Sequence, residues 1–128
     1  MKPNVREWVE KAEGDWTSAR REARARKSPN YDDACFHAQQ CAEKYLKAKL
    51  QAADIPFSKT HNLLALLELV LPVEPFWEEL RPLLRALNTF AVDFRYPGES
   101  ADQAMAKEAL AFCKKVRQRV RLSLGIQR

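Results

Sequence analysis

Residues Tyr31–Ala53 read YDDACFHAQQCAEKYLKAKLQAA, a run without Gly or Pro in which apolar side chains recur every three or four residues. That spacing places them on one side of a helix. The acids that open the run suit the positive N-terminal end of a helix, with Asn30 or Asp32 as its cap. Between Ala34 and Ala42 the repeating apolar side chains are Ala and Cys, which are small enough for other helices to approach closely. The stretch therefore predicts a central helix that is packed on more than one side.

The polar side chains of this helix form two rows. His37, Gln40 and Lys44 stand three and four residues apart, so they make one stripe at the edge of the apolar side. Glu43 and Lys47 are an i,i+4 pair in the favourable order, with the acid first. Two interpretations of these polar residues remain open, a network within the helix and a face used for dimerisation.

Outward from this helix, apolar periodicity and the position of the prolines predict four further helices. Ser28-Pro29-Asn30 separates the first helix from the central one, and Pro82 either kinks its helix or marks a restart. No strand alternation or internal repeat is present. The sequence predicts a single all-α domain over residues 1–128, an up-and-down bundle of four long helices plus one short helix. The additional helices are expected at residues 4–27, 61–71, 75–93 and 101–125.

Three helix ends carry candidate capping residues. Ser58 or Thr60 is expected to cap the short helix, and Ser100 with Gln103 fits a capping box before the last helix. Gly125 is expected to end that helix.

The net charge of +5 is distributed unevenly. Residues 1–27 carry a net charge of +3 and residues 107–128 carry +6, whereas residues 28–106 carry −4. Two basic terminal helices on an acidic body could present a surface to RNA, to acidic lipids or to an acidic protein. The alternative is a solvated helix face in an Arg-rich protein.

Several classes of site are excluded by the residues present. The sequence contains no Gly-rich phosphate loop, no nucleophile elbow and no Cys or His spacing typical of a metal site. The three cysteines lie in apolar helical stripes, which favours buried side chains in a reducing cytoplasm. No apolar run approaches the length of a membrane span and no signal peptide is recognisable, so we expect a cytoplasmic protein that needs no cofactor.

A candidate site is indicated by polar residues that are unusual on the surface of a helical bundle. Free N–H groups at the start of a helix would favour an anion beside Lys59 and His61. Arg95 could bind phosphate through two hydrogen bonds, and Tyr96 could stack on a base. The predicted ligand-binding residues are Lys59, His61, Arg95, Tyr96, His37, Gln40 and Lys44.

Each of these residues also has a structural interpretation. His37 could be an ordinary helix residue with a partner, and His61 could belong to a helix cap. Arg95 could hold the last carbonyl groups of the preceding helix, and Tyr96 could fill the core.

The order of several short motifs resembles the HEPN domain family. Residues 36–48 resemble its second helix, Lys59-Thr60-His61-Asn62-Leu63 is similar to the segment that opens its next helix, and Phe94-Arg95-Tyr96-Pro97 resembles its Arg-Tyr-Pro motif. Together with an aromatic first helix that contains Trp8 and Trp16, the resemblance spans almost the whole chain. It implies a nucleotide- or RNA-associated module that forms a homodimer and works beside a minimal nucleotidyltransferase, in a toxin–antitoxin-like pair.

Many HEPN proteins are metal-independent ribonucleases with an Arg followed four to six residues later by a His. This sequence departs from that pattern, since Glu99, Ser100 and Ala101 follow Arg95 at those distances. The alternative function is therefore a ribonuclease in which His61 acts as general acid or base and Arg95 stabilises the phosphorane charge. A further alternative is a structural dimeric adaptor that uses the polar stripe as its interface and binds no ligand.

Overall fold

The computed structural model describes residues 1–93 and 97–126 of the chain. Within these ranges it contains five α-helices, one 3-10 helix and no strand. The predicted all-α bundle of four long helices and one short helix is confirmed. The α-helices are α1 (Pro3–Arg24), α2 (Tyr31–Ala52), α3 (Leu63–Val70), α4 (Arg81–Asp93) and α5 (Gln103–Ser123), and the 3-10 helix is Pro75–Leu80.

The central position of α2 is also confirmed, since it contacts each of the other four α-helices. More than half of its residues are buried, and Ala38, Cys41 and Ala42 are completely enclosed. Because these side chains are small, neighbouring helix backbones approach α2 closely along its first half. The larger Tyr45 and Leu46 are equally enclosed and fill the core further along the helix.

Helices α1 and α5 pack antiparallel to each other on α2. The backbone N–H of Ala101 donates to Asp32 at 2.6 Å, which places the start of α5 beside the start of α2. Farther along, Arg117 of α5 binds Glu13 of α1 at 2.7 Å. Because the link between α1 and α2 is short, the start of α5 lies near the end of α1.

The ends of the helices differ in part from the sequence predictions. Helix α1 ends at Arg24 rather than Lys27, because the backbone is extended at Ala25 and takes a positive φ of 50° at Ser28. Pro82 is the second residue of α4, where its missing N–H removes no helical hydrogen bond. Of the two alternatives for Pro82, the restart is confirmed.

Among the predicted N-caps, Asn30 is confirmed, since its side chain accepts a hydrogen bond from the Asp33 N–H at 2.9 Å. The other two predictions are wrong. Asn62 caps α3, which therefore begins at Leu63 rather than at His61. Asp102 caps α5 by accepting from the Met105 N–H at 2.8 Å.

The three cysteines are buried free thiols, as the sequence predicted. Burial, with a contribution from the carboxylates of Asp32 and Asp102, raises the pKa of Cys35 to about 11. Burial together with the neighbouring Cys113 thiol also raises the pKa of Cys41. All three cysteines therefore pack as small apolar residues, and the raised pKa values keep Cys35 and Cys41 protonated at neutral pH.

Candidate functional site

The predicted polar stripe of α2 is engaged inside the chain. The His37 Nδ1 atom lies 2.9 Å from one oxygen of Asp15, and the Lys44 ammonium donates to the other oxygen at 2.5 Å. Gln40 instead donates to the side chain of Gln39 at 2.8 Å. Asp15 belongs to α1 and is only 9% exposed. The structure thus brings His37 and Lys44 together on a buried carboxylate, and we name these three residues the Asp15 cluster.

Asp15 was not predicted from the sequence, although a signal for it was present. Ala12, Asp15 and Ala19 are spaced three and four residues apart, so the acid falls on the apolar side of α1. A carboxylate at such a position requires a cationic or hydrogen-bonding partner, because burying an unpaired charge is costly. The required partners are on α2.

A second cluster is built around Glu43, whose side chain is 3% exposed. Lys47 donates to Glu43 at 3.0 Å and is itself 6% exposed. The Lys47 ammonium also lies 5.5 Å from the ring centre of Trp8 and 5.9 Å from that of Phe57. His61 Nδ1 completes the set at 3.1 Å from a Glu43 oxygen. The Glu43 cluster, which we define as Glu43, Lys47 and His61, is therefore a buried ion pair with one histidine at its edge.

The surroundings of His61 differ from the predicted anion site. The N–H of Leu63 donates to the Asn88 side chain at 2.9 Å, and those of Leu64 and Ala65 donate to the Asn62 side chain at 3.0 and 3.4 Å. The expectation of free N–H groups at this helix end is therefore wrong.

Of the remaining predicted site residues, His61 has a side chain that is 78% exposed, and Lys59 is exposed in the preceding loop. Arg95 and Tyr96 lie outside the described residues.

An open groove of about 970 Å³ runs between the second half of α1 and α5. Its walls carry the guanidinium and ammonium groups of Arg20, Arg24, Lys107, Lys114 and Arg117. No Asp or Glu is among the described residues that line it. The groove therefore concentrates positive charge on a concave surface, which attracts anions.

The lining also contains two aromatic rings and a leucine, Trp16, Tyr31 and Leu110, which we call the floor of the groove. The guanidinium carbon of Arg20 lies 5.6 Å from the ring centre of Trp16, and that of Arg117 lies 5.5 Å from it. Cation–π contacts at these distances orient the indole ring. The groove thus combines a flat aromatic surface with cationic walls.

One cation of the groove is held in place by α1. Arg117 donates two hydrogen bonds of 2.7 Å to Glu13, which also accepts from the buried Tyr45 hydroxyl. Burial alone would raise the pKa of Glu13, but the hydrogen bonds from Arg117 and Tyr45 and the positive charges of Arg117 and Arg121 hold it below its ordinary value. Arg117 is therefore a fixed charge at the edge of the groove.

The other four cations of the groove have no ion pair within the part of the chain that the structure describes. Lys107 and Lys114 are exposed on α5, and Arg24 is exposed at the end of α1. The positive charge of both helices was predicted from the sequence, but the groove was not. The local pattern of each helix does not show that these faces of α1 and α5 meet.

Residues 1–93 and 97–126 contain neither a membrane-spanning helix nor a metal-binding group of side chains. No helix in these ranges combines the length and apolar character that crossing a membrane requires. The same residues contain no group of three or more His, Cys, Asp or Glu side chains placed to hold a metal ion.

The fold and nearly the whole length of the chain match a known class of helical proteins. Residues 5–123 match the family model of the HEPN domain. This protein belongs to the HEPN family.

A crystal structure of an archaeal HEPN homologue has the same fold, with a TM-score of 0.69 and 24% sequence identity over 96% of this chain and 98% of that one. No curated protein matches the sequence.

Proposed function

We propose that this HEPN protein is a nucleotide- or RNA-associated binding module. In this proposal it acts in the cytoplasm as a homodimer, beside a minimal nucleotidyltransferase, as one half of a toxin–antitoxin-like pair. The observation that supports a nucleotide or RNA as the ligand is the groove between α1 and α5. Five cations line it, four of them without an ion pair among the described residues, and aromatic rings form part of its floor. Phosphate groups bind Arg and Lys, and bases bind aromatic faces, so both parts of a nucleotide find a suitable surface there.

The groove supports this function better than the residues of α2 do. His37 and Lys44 are occupied by Asp15, and the positive charge of Lys47 is neutralised by Glu43. A phosphate at either cluster would compete with a carboxylate already in place. In contrast, Arg24, Lys107 and Lys114 offer charges without a competing acid.

The test is binding of a fluorescent RNA oligonucleotide to the wild type and to a groove variant, Arg24→Gln/Lys107→Gln/Lys114→Gln. Each cation that neutralises a phosphate of a single strand contributes about 0.7 to the salt dependence of binding. Loss of three such contacts should therefore lower affinity roughly 100-fold at 0.1 M salt and reduce the salt slope by about 2.

A control variant with the same net charge is Arg6→Gln/Lys11→Gln/Arg85→Gln, which removes three exposed cations outside the groove. It should retain most of the affinity, because the groove cations are intact. Long-range attraction is altered equally in both variants, so the difference between them reports the contacts in the groove. If both variants lose the same affinity for RNA, the groove is not the binding site. If the wild type binds neither RNA nor ATP, the proposed class of ligand is wrong. The variant Lys59→Gln/His61→Gln tests the residues proposed from sequence in the same assay.

The proposed assembly is tested separately. Sedimentation at several concentrations should show a dimer. Co-expression with a nucleotidyltransferase encoded beside the gene should give a complex that survives size exclusion. A monomer at all accessible concentrations would contradict the homodimer. Separate elution of the two proteins would contradict the complex with the nucleotidyltransferase.

Ribonuclease activity is the second candidate, and the geometry of His61 favours it. Its Nδ1 atom faces the buried Glu43 carboxylate, while the ring itself is largely exposed. A carboxylate that orients an imidazole in this way is a common support for a general base. With Arg95 as the proposed stabiliser of the phosphorane charge, RNA cleavage in EDTA should be lost in both His61→Ala and Arg95→Ala. Equal cleavage by the wild type and both variants would exclude these two residues.

A further inference from the structure

The two ends of the groove have different compositions because α1 and α5 are antiparallel. Arg24 and Lys107 lie at the end where α1 finishes and α5 begins, whereas Trp16, Lys114 and Arg117 lie toward the other end. At a helical rise of 1.5 Å per residue, Lys107 and Lys114 are about 10 Å apart along α5. The lining of α5 from residue 103 to residue 117 covers about 21 Å.

This length distinguishes between a mononucleotide and a strand. The phosphates of a nucleoside triphosphate share bridging oxygens, so they form one compact anion that reaches one end of the groove. A strand carries separate phosphates along an extended backbone and can meet Arg24 and Lys107 at one end and Lys114 at the other. Single-strand sites in proteins can be as short as about four nucleotides. A strand of that size is comparable in length to the α5 lining of the groove.

The floor distinguishes between a single strand and a duplex. Stacking on Trp16 requires a free base face, and a duplex presents only the faces at its ends. The indole lies in a recess between two helices, with Arg20 and Arg117 near its ring. A duplex lying across the walls would contact Lys107 and Lys114 through phosphates but would leave the aromatic floor uncovered.

We infer that the groove between α1 and α5 binds single-stranded nucleic acid. One base stacks on Trp16, and backbone phosphates contact Arg24 and Lys107 at one end of the groove and Lys114 toward the other. This inference rests on the proposed function and narrows its ligand from nucleotides in general to an extended strand. The shared chemistry is a phosphodiester backbone with unpaired bases, which RNA and DNA both provide.

The experiment compares five probes by fluorescence anisotropy, or by competition where a probe is unlabelled. They are an unstructured ten-nucleotide RNA, the DNA of the same sequence, the RNA in duplex with its complement, an abasic strand of the same length, and ATP. We expect the RNA strand, the DNA strand or both to bind at least tenfold more tightly than the duplex, the abasic strand and ATP. The two base-bearing strands show whether the 2′-hydroxyl contributes.

The matched variants are Trp16→Leu and Trp16→Phe, both checked for folding by thermal unfolding. Removal of a stacked aromatic ring costs roughly tenfold in affinity, and Trp16→Leu should show this loss with the salt slope unchanged. Trp16→Phe keeps a ring and should keep most of the affinity. The abasic strand should bind the wild type and Trp16→Leu equally, because it has no base to stack.

The outcomes separate this inference from the proposed function. If ATP or the duplex binds as tightly as the strands, or if Trp16→Leu binds the base-bearing strands normally, the single-strand inference is overturned and nucleotide association stands. If none of the five probes binds the folded wild type, both fall. If Trp16→Leu fails to fold, Trp16→Phe and the abasic strand supply the test. Equal binding of the abasic and base-bearing strands by the wild type would overturn stacking.

Discussion

The polar side of α2 and the groove between α1 and α5 are both rich in charged residues, yet they differ in how the charges are arranged. On α2 the lysines meet acids, since Lys44 binds Asp15 and Lys47 binds Glu43, and His37 also contacts Asp15. In the groove, Arg24, Lys107 and Lys114 lie on a concave surface with no described acid in its lining.

The difference distinguishes charges that stabilise the fold from charges that are available to the proposed ligand. A charge that is buried with its partner stabilises one arrangement of helices, and its loss leaves the partner without compensation. Exposed charges of one sign repel each other and contribute little to folding. Variants at the two sites should therefore separate stability from binding.

The largest effect on stability is expected for Glu43→Ala. It leaves the Lys47 ammonium buried without its carboxylate, which typically costs about 3–5 kcal/mol in the free energy of unfolding. Urea unfolding followed by circular dichroism measures this value. The double variant Glu43→Leu/Lys47→Met removes both charges and should recover most of the loss.

The control for this prediction is Glu78→Ala, which breaks a surface ion pair with Arg81. It should change the unfolding midpoint little, because water already solvates both groups. If Glu43→Ala is no more destabilising than Glu78→Ala, the buried pair of Glu43 and Lys47 does not stabilise the fold as proposed.

A smaller loss is expected for Asp15→Ala. His37 and Lys44 lose their hydrogen-bond acceptor, but both are partly exposed and can turn toward water. We expect a decrease of about 2 kcal/mol in the free energy of unfolding. Lys2→Ala, which breaks an exposed pair with Asp54, is the matched control. Equal effects of the two substitutions would show that the buried position of Asp15 does not matter.

The next effect depends on pH and concerns Glu13, which connects the groove to the core through Arg117 and Tyr45. Its pKa in the folded protein lies below the ordinary 4.5. A lowered pKa contributes stability above the unfolded value and loses it as pH falls through the folded value. Glu13→Gln should therefore cost about 1 kcal/mol at pH 7, and the difference from the wild type should shrink as pH falls below 4.5.

Urea unfolding of both proteins at pH 7, 4.5 and 3 measures this difference directly. Subtracting one protein from the other removes the titration of the remaining acids. A difference that is the same at all three pH values would contradict the link between Glu13 ionisation and stability.

The smallest effect on stability is expected for the groove variant Arg24→Gln/Lys107→Gln/Lys114→Gln. Exposed substitutions of this kind change the free energy of unfolding by less than about 0.5 kcal/mol. Any change should be stabilising, because repulsion between like charges is reduced. A loss comparable to that of Asp15→Ala would mean that these cations support the fold, and the contrast between the two regions would disappear.

Much of the secondary structure could be predicted because it depends on local patterns. The apolar repeat of residues 31–53 predicted α2 within one residue of its observed end. Helix caps were predicted less well, because several polar residues near each start compete for the same N–H groups. Asn62 and Asp102 prevailed over Thr60 and Ser100 through their position immediately before the first helical residue.

The candidate site was predicted only in part. His37 and Lys44 were identified, together with Gln40, as one polar stripe of α2, but the partner Asp15 lies on another helix and was not identified. His61 was expected beside free N–H groups, which Asn62 and Asn88 occupy in the structure. Both errors concern partners from other segments, which local spacing does not reveal.

The sequence by itself determined the helices, the central role of α2 and the positive charge of the two terminal helices. Each of these follows from the periodicity or composition of one continuous segment. Only the tertiary structure decided which charges are neutralised and which remain open to a ligand. Pairing depends on which helix faces meet, and the antiparallel packing of α1 and α5 on α2 brings Trp16 and Arg24 together with Lys107 and Lys114.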